Sequence, residues 1–364
     1  MNYKIYKLKF KSPVHFGSDI LGTSLEEADL ICHSDTLFSA LCLEYIKLNG
    51  YDDLKTKFID LFRNGELLIS SLFPYKKDEL YVPKPFLVKN KNNDDNKSNT
   101  TEENSKKEED NQYDRKAMKK ISYIIISHIE KYLEGINNND DSFLDFLKNK
   151  EQYEDNDFDE YNNFAKYSLL QKVSLRSIKN NKNNNDSNND INNNDLYDVG
   201  AYRFYEDCGL YFILVYNNDE NLKLFENVLQ SLQYSGIGGK RTSGYGLFSY
   251  KRLDNDIFND RLNNNNYNYK MIISLYYPLK EELDDIELDK SYYSLIKRNG
   301  FVYSPAYNDN PLKRKSLCMF KEGSCFSSQK NNNIKDIYGN IIDVSNNGSH
   351  KVYRYGKVLY IGLN

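Results

Sequence analysis

The chain has 364 residues, enough for two domains with real cores, and its 32 Tyr and 19 Phe supply large apolar area in place of the missing Trp. Its five cysteines, at 32, 42, 208, 318 and 325, lack metal-ligand spacing and read as reduced thiols of a cytoplasmic protein, and no stretch approaches the roughly 18 apolar residues of a membrane span. The net charge of −4 is segregated: residues 91–163 carry 11 Lys/Arg against 19 Asp/Glu, which leaves +4 on the other residues and removes the objection that phosphates would be repelled.

The opening MNYKIYKLKF alternates Lys with apolar residues, a strand pattern rather than a signal peptide. After a loop with Pro13, Gly17 and Gly22, the spacing of Leu37, Phe38, Leu41, Cys42, Tyr45 and Leu48 predicts a helix over 34–48. Ser34 is its expected N-cap, Asp35 favours the positive end of the helix dipole, and Gly50 ends it. A short helix over 52–64 and a strand over 67–73 follow, and Pro83 and Pro85 force an extended YVPKPFL. Asn- and charge-rich tracts at 90–112, 137–163, 180–195, 254–268 and 329–333 have too few apolar residues to offset ordering entropy and read as surface insertions. Residues 167–178 and 196–205 form a hairpin with an Asn-rich tip, 210–216 an apolar strand, 222–232 an amphipathic helix and 247–250 a strand. Beyond about 268, a strand over 269–277, a helix over 288–298 and short strands at 317–320, 341–344 and 358–363 repeat the strand–helix–strand order. The expected fold class is α+β: two ferredoxin-like (RRM-like) domains with antiparallel sheets, over 1–253 and 268–364, with long disordered or Asn-rich insertions at 90–163 and 180–195.

The segment most informative about chemistry is the glycine-rich loop 235–246, SGIGGKRTSGYG. Its five glycines strip away side chains and permit positive φ, so a second backbone can come close. Its N–H groups can form a concave nest for anions. Lys240 and Arg241 add two cations, and Thr242 and Ser243 add hydroxyl donors, a set suited to a bent phosphate backbone. A nucleotide P-loop would need Gly at 234 and Ser or Thr at 241, where Tyr234 and Arg241 stand. A dinucleotide GxGxxG started at Gly236 fails at the same Arg241. The alternative without a ligand is a flexible glycine hairpin. His15 and His33 flank the first loop and helix as the enzymatic suspects, against a reading in which they only satisfy local structure. His128 lies in an apolar run and reads as a core residue; His350 adjoins Arg354 and Lys357. Lys84, held between two prolines, is a phosphate contact or a plain surface lysine, and Lys313–Lys315 is the densest basic cluster.

These segments together resemble the RAMP superfamily of CRISPR proteins, whose signature is such a loop late in a ferredoxin-like domain. KLKFKSPVHFG with HSDTLFSAL, then YVPKPFL, then KRKSLCMFKEGSCF with HKVYRYGKVLYIGL, are similar in order to the fourth-subunit family of type III-A (Csm) effector complexes. The resemblance covers both ends and the centre and leaves the Asn-rich inserts unmatched. It implies a non-catalytic subunit, without cofactor or metal, that holds the 5′ repeat-derived handle of the crRNA. It further implies docking of the large polymerase/cyclase-like subunit on one side and an adjacent backbone RAMP subunit on the other. Carried over, the RNA-binding residues are Gly236, Ile237, Gly238, Gly239, Lys240, Arg241, Thr242, Ser243, Gly244 and Tyr245, with His15, His33 and Lys84. The hairpin would be a thumb that kinks the guide, with Arg176 and Lys179 beside it. Where the family often carries Ile-Asp-Arg, this chain has Ser177-Ile178-Lys179. The rival functions are a RAMP-type endoribonuclease using His15 or His33, and a structural adaptor that does not grip RNA.

Overall fold

The computed structural model describes residues 1–18, 25–88, 118–138, 140, 142–151, 161–174, 195–264, 266–302, 307–308, 312–327 and 339–364. In the N-terminal part these are β1 (Asn2–Phe10), the small pair β2 (Phe16–Gly17) and β3 (Ala28–Asp29), α1 (Ser34–Asn49), α2 (Tyr51–Asp53) and α3 (Ile59–Arg63), then β4 (Leu67–Ile69), β5 (Phe73–Lys76) and β6 (Glu79–Pro83). There follow β7 (Tyr123–Ile125), α4 (Ile129–Asn137), α5 (Ser142–Glu151), the hairpin β8 (Ala165–Ser174) and β9 (Asp195–Phe204), β10 (Cys208–Tyr216), α6 (Asp219–Ser235), β11 (Phe248–Leu253) and α7 (Asn259–Asn263). The C-terminal block holds β12 (Tyr269–Ile272), α8 (Lys280–Asp285), β13 (Leu295–Arg298), β14 (Phe301–Val302), β15 (Leu312–Lys313), β16 (Leu317–Phe320), β17 (Cys325–Ser327), β18 (Gly339–Asp343), β19 (Tyr353–Lys357) and β20 (Tyr360–Leu363).

The main sheet runs β11-β1-β10-β5-β6-β7, with β4 pairing the other half of β10, and its pairings are antiparallel. β10 reads CGLYFILVY without alternation because both of its faces are buried. Tyr6, Leu8, Leu210, Phe212 and Leu214 point to one side, where α1 and α6 cover them with Leu37, Phe38, Phe225 and Leu229. Ile5, Tyr211, Ile213 and Val215 point to the other, against Met271, Ile273, Ile361 and Leu363 of the C-terminal block. That second core also takes Ile129, Leu133, Phe143, Leu144 and Leu147 from α4 and α5.

Several elements differ from those the sequence predicts. The tract 137–163 is not simply a surface insertion: α5 buries Phe143, Leu144 and Leu147 at 2% exposure or less, because three well-spaced apolar side chains anchor a helix even in acidic surroundings. The tract 254–268 carries α7, with Phe258 and Leu262 buried. The helix over 288–298 is instead a short 3₁₀ turn, Leu288–Lys290, and strand β13, in register with β16 (Leu295 opposite Phe320). The aromatic pair Tyr292 and Tyr293 suits a pleated surface, and strand pairing overrides the helical spacing. Ser34 does not cap α1. His33 is the N-cap residue, and the Ser34 hydroxyl accepts from the Leu275 N–H at 3.0 Å. The tracts 90–112, 180–194 and 329–333 lie outside the described residues.

The two blocks meet at the start of α1. Asp35 receives Arg298 Nη2 on Oδ1 at 2.8 Å, and Arg298 Nε at 3.0 Å and Arg354 Nη1 at 2.8 Å on Oδ2. His33 Nδ1 lies 2.9 Å from Glu322 Oε1, and the Ser71 hydroxyl donates to the same oxygen. No helix among the described residues is long and apolar enough to cross a membrane.

Candidate nucleic-acid interface

α6 stops at Gly236 (φ 73°), and the chain turns back to β11 through residues 236–247. Pro13 to Gly17 forms a strut under this turn. The Gly239 N–H donates to the His15 carbonyl at 2.8 Å, and the Gly246 N–H to the Pro13 carbonyl at 2.8 Å. On its other side the strut bridges to β9, with Val14 and Tyr202 exchanging N–H···O bonds of 2.8 and 2.9 Å. The His15 ring Nδ1–H donates to the Gly200 carbonyl at 2.7 Å, since a carbonyl can only accept. Glycine-rich turn, strut and hairpin are therefore one assembly.

Two kinds of glycine emerge. Gly246 (φ 74°) must be glycine, because a Cβ there would lie 2.0 Å from the Ile237 carbonyl oxygen. Gly244 (φ 80°) would place a Cβ in open space. Gly238 and Gly239 thus make room for the strut at His15 and Phe16, Gly236 and Gly246 make room for the facing arm of the turn at Gly246 and Ile237, and the tip 240–244 faces outward. Thr242, Ser243 and Gly244 are exposed. The tip is a 3₁₀ turn, Arg241–Ser243, entered through Lys240 at φ 57° and left through Gly244. The amides of Gly238, Lys240, Arg241 and Thr242 make no backbone hydrogen bond to another described residue.

Lys240 Nζ sits 4.5 Å from the centroid of the Tyr197 ring on β9. Such a cation–π contact lays the stem down without neutralising the charge. Ile237 is fully buried and Tyr245 is 4% exposed, packed with Val199 and Ala201 of β9. Both side chains bind the turn to the core, which leaves only their main chain to meet a ligand. Arg176 and Lys179 lie outside the described residues. The hairpin pairs ten residues on each strand, from Ala165 opposite Phe204 to Ser174 opposite Asp195. One face is exposed and largely apolar, with Tyr167, Leu169, Val173 and Leu196 each at least 41% exposed.

His33 and Lys84 are not part of this assembly. They line a separate cavity of about 630 Å³ with Tyr123, Lys297, Lys321 and Glu322. Burial pulls against the charge on His33, but the Glu322 carboxylate outweighs it and pushes the imidazole up to about 9. Burial likewise opposes the charge on Glu322, and His33 with the hydrogen bonds it and Ser71 donate holds the carboxyl down to about 2. Lys84 donates to the Met118 carbonyl, and burial lowers its pKa. The arginines that gather on Asp35 went unnoticed in the sequence, where Arg298 and Arg354 stand more than 260 positions from their partner; only the HSD run and a basic C-terminal block hinted at a partner for each.

The chain belongs to the RAMP superfamily, whose family pattern it matches over residues 7–249. Residues 265–363 match the CRISPR Csm4 C-terminal domain. The chain is 29% identical over 399 residues to the CRISPR system Cms protein Csm4 of Methanocaldococcus jannaschii, with 100% of this chain and 98% of the relative covered. It is 27% identical to the proteins of that name from Mycobacterium tuberculosis and Streptococcus thermophilus, covering 100% of this chain and 98% and 99% of theirs. Among solved structures, its fold is like a chain of the Csm3-Csm4 subcomplex of the type III-A CRISPR-Cas interference complex, with a TM-score of 0.61, 22% identity and full coverage of both chains. A chain of the Csm1-Csm4 cassette in complex with pppApA gives a TM-score of 0.54 at 18% identity, covering 100% of this chain and 98% of that one.

Proposed function

We propose that this chain is the Csm4-type subunit of a type III-A CRISPR interference complex, and that it grips the 5′ repeat-derived handle of the crRNA without cleaving it. The observation that carries the reading is the outward tip 240–244. Two cations, two hydroxyls and a glycine with open space around it stand between Gly239 and Gly246, the two residues that the strut holds by hydrogen bonds. Such a tip suits contacts to a sugar-phosphate backbone, which need donors and close approach rather than a base-shaped pocket. Lys240, Arg241, Thr242, Ser243 and Gly244 are the contacting residues, Gly236, Gly238 and Gly239 shape the turn, and the hairpin β8–β9 is the thumb that kinks the guide. The partners are those of the similar chains: a Csm1-type large subunit and a Csm3-type backbone subunit.

A two-domain organisation, 1–253 and 268–364, goes with this reading. In the first domain the order β11-β1-β10-β4, with α1 after the first strand and α6 before the last, supports a ferredoxin-like unit. In the second, β12 between β17 and β20 supports an abbreviated one.

The burial of both candidate histidines supports this reading over an endoribonuclease. His33 is buried and carries a proton held by Glu322, and His15 is buried with one ring nitrogen committed to Gly200. Replacing both Lys240 and Arg241 with Ala should weaken handle binding and lower its salt slope by about 0.7 per lost phosphate contact. Unchanged affinity and slope, or handle–protein crosslinks that avoid 240–244 in the assembled complex, would favour a docking adaptor instead.

A further inference from the structure

Between the glycine-rich turn and the C-terminal block lies a second cavity, of about 280 Å³. One wall is Gly238, Gly239 and Arg241 of the turn; the opposite wall brings Arg298, Arg314 and Arg354. Four arginines thus face a single carboxylate, Asp35. That carboxylate already accepts from three guanidinium nitrogens. Arg354 is 2% exposed, and two of its nitrogens are committed, Nη1 to Asp35 and Nη2 to the Asn299 carbonyl at 2.8 Å. Its Nε, like that of Arg314, is buried with no hydrogen-bond partner among the described residues.

A buried network built only to join the two blocks would balance its charges and satisfy its donors, since removing an ion or a donor from water without a partner is costly. Here four arginines line the cavity against one carboxylate, and two guanidinium donors buried beside it are left over. Burial, with Arg354 next to them, lowers the pKa of both Arg298, to about 9, and Arg314. An anion in the cavity reverses that pressure on both. Guanidinium forks bind the oxygens of a phosphate bidentately, which adds geometric specificity to the charge.

We infer that this cavity binds one phosphate group, with Arg314 and Arg354 on one side and Arg241 on the other, so that the ligand ties the glycine-rich turn to the C-terminal block. That the phosphate is a phosphodiester of the RNA handle rests on the function proposed above; that the cavity takes phosphate does not.

The test uses the full chain and Arg314→Gln, which removes the cation with the fewest structural bonds. In the first arm, handle RNAs each carrying a single neutral methylphosphonate are titrated by fluorescence anisotropy. One substituted position should weaken wild-type binding about tenfold, and Arg314→Gln should weaken the unmodified RNA about tenfold as well. The two changes together should cost little more than either one. Additive losses at every position, or unchanged affinity of Arg314→Gln, overturn the site while leaving handle binding intact. In the second arm, inorganic phosphate should raise the melting temperature of wild type above that in chloride at equal ionic strength, and not that of Arg314→Gln. If wild type binds no handle RNA, the functional reading fails, and this arm alone decides the cavity. Protection lost in Arg314→Gln then upholds a site for free phosphate, and absence of protection overturns it. Should Arg314→Gln fail to fold, the wild-type methylphosphonate scan decides: no sensitive position, together with no phosphate protection, refutes the site.

Discussion

Replacing Glu322 with Gln tests the ion pair that pins the start of α1 to the C-terminal block. Both partners are deeply buried, His33 at 5% and Glu322 at 2% exposure, so little solvent screens them. Leaving one buried charge without its partner costs about 3–5 kcal/mol. The shift of His33 from an ordinary 6.5 up to about 9, net of the burial that opposes it and with Asp35 and Asp29 adding to Glu322, corresponds to roughly 3 kcal/mol at about 1.4 kcal/mol per pH unit. The two figures overlap and are not summed. A raised histidine stabilises fully below its unfolded value near 6.5, and that contribution is lost as pH rises through 9. A depressed carboxylate stabilises fully above its unfolded value near 4.5, and loses this as pH falls toward 2. The stability gap between wild type and Glu322→Gln should therefore be widest between about pH 4.5 and 6.5 and close above pH 9. Urea denaturation followed by circular dichroism across pH 4 to 9.5 measures it. A gap below about 1 kcal/mol at pH 6, or one independent of pH, would refute the reasoning.

The glycines of the turn should separate fold from function. Gly246→Ala forces a Cβ to 2.0 Å from a carbonyl oxygen and should destabilise by several kcal/mol in a melting experiment, whereas Gly244→Ala meets open space and should cost only the left-handed penalty of about 1–2 kcal/mol. Lys240→Gly relieves a left-handed conformation and should leave the melting temperature within a few degrees of wild type while handle affinity falls; equal affinity would remove Lys240 from the interface. Leu144→Ala should destabilise by about 2–5 kcal/mol, and a neutral result would return α5 to the status of a dispensable insertion.

Period-two alternation announced β1, and an unbroken apolar run announced β10. Those patterns report local burial, which is why they were legible. α5 escaped because Asp, Asn and Lys dilute its three apolar anchors in any compositional window. β13 was misread because its apolar spacing fits a helix as well as a strand, and only its partner β16 decides between them. Glycine content located the turn but not which glycines serve the strut, since that depends on Pro13 and His15, more than 200 positions away. The pairing of Asp35 with Arg298 and Arg354 is invisible for the same reason: a charge pattern names candidates, and only tertiary distance chooses partners.

The double-sided β10 has a consequence for how this chain can be cut. A fragment ending after β11 would keep α4 and α5 on this side of the sheet yet lose the cover that Met271, Ile273, Ile361 and Leu363 give to Ile5, Tyr211 and Ile213, leaving part of an apolar sheet face open to water. The C-terminal residues are thus the lid of the first half as much as a module of their own, and expression of either piece alone invites aggregation where the intact polypeptide stays sealed.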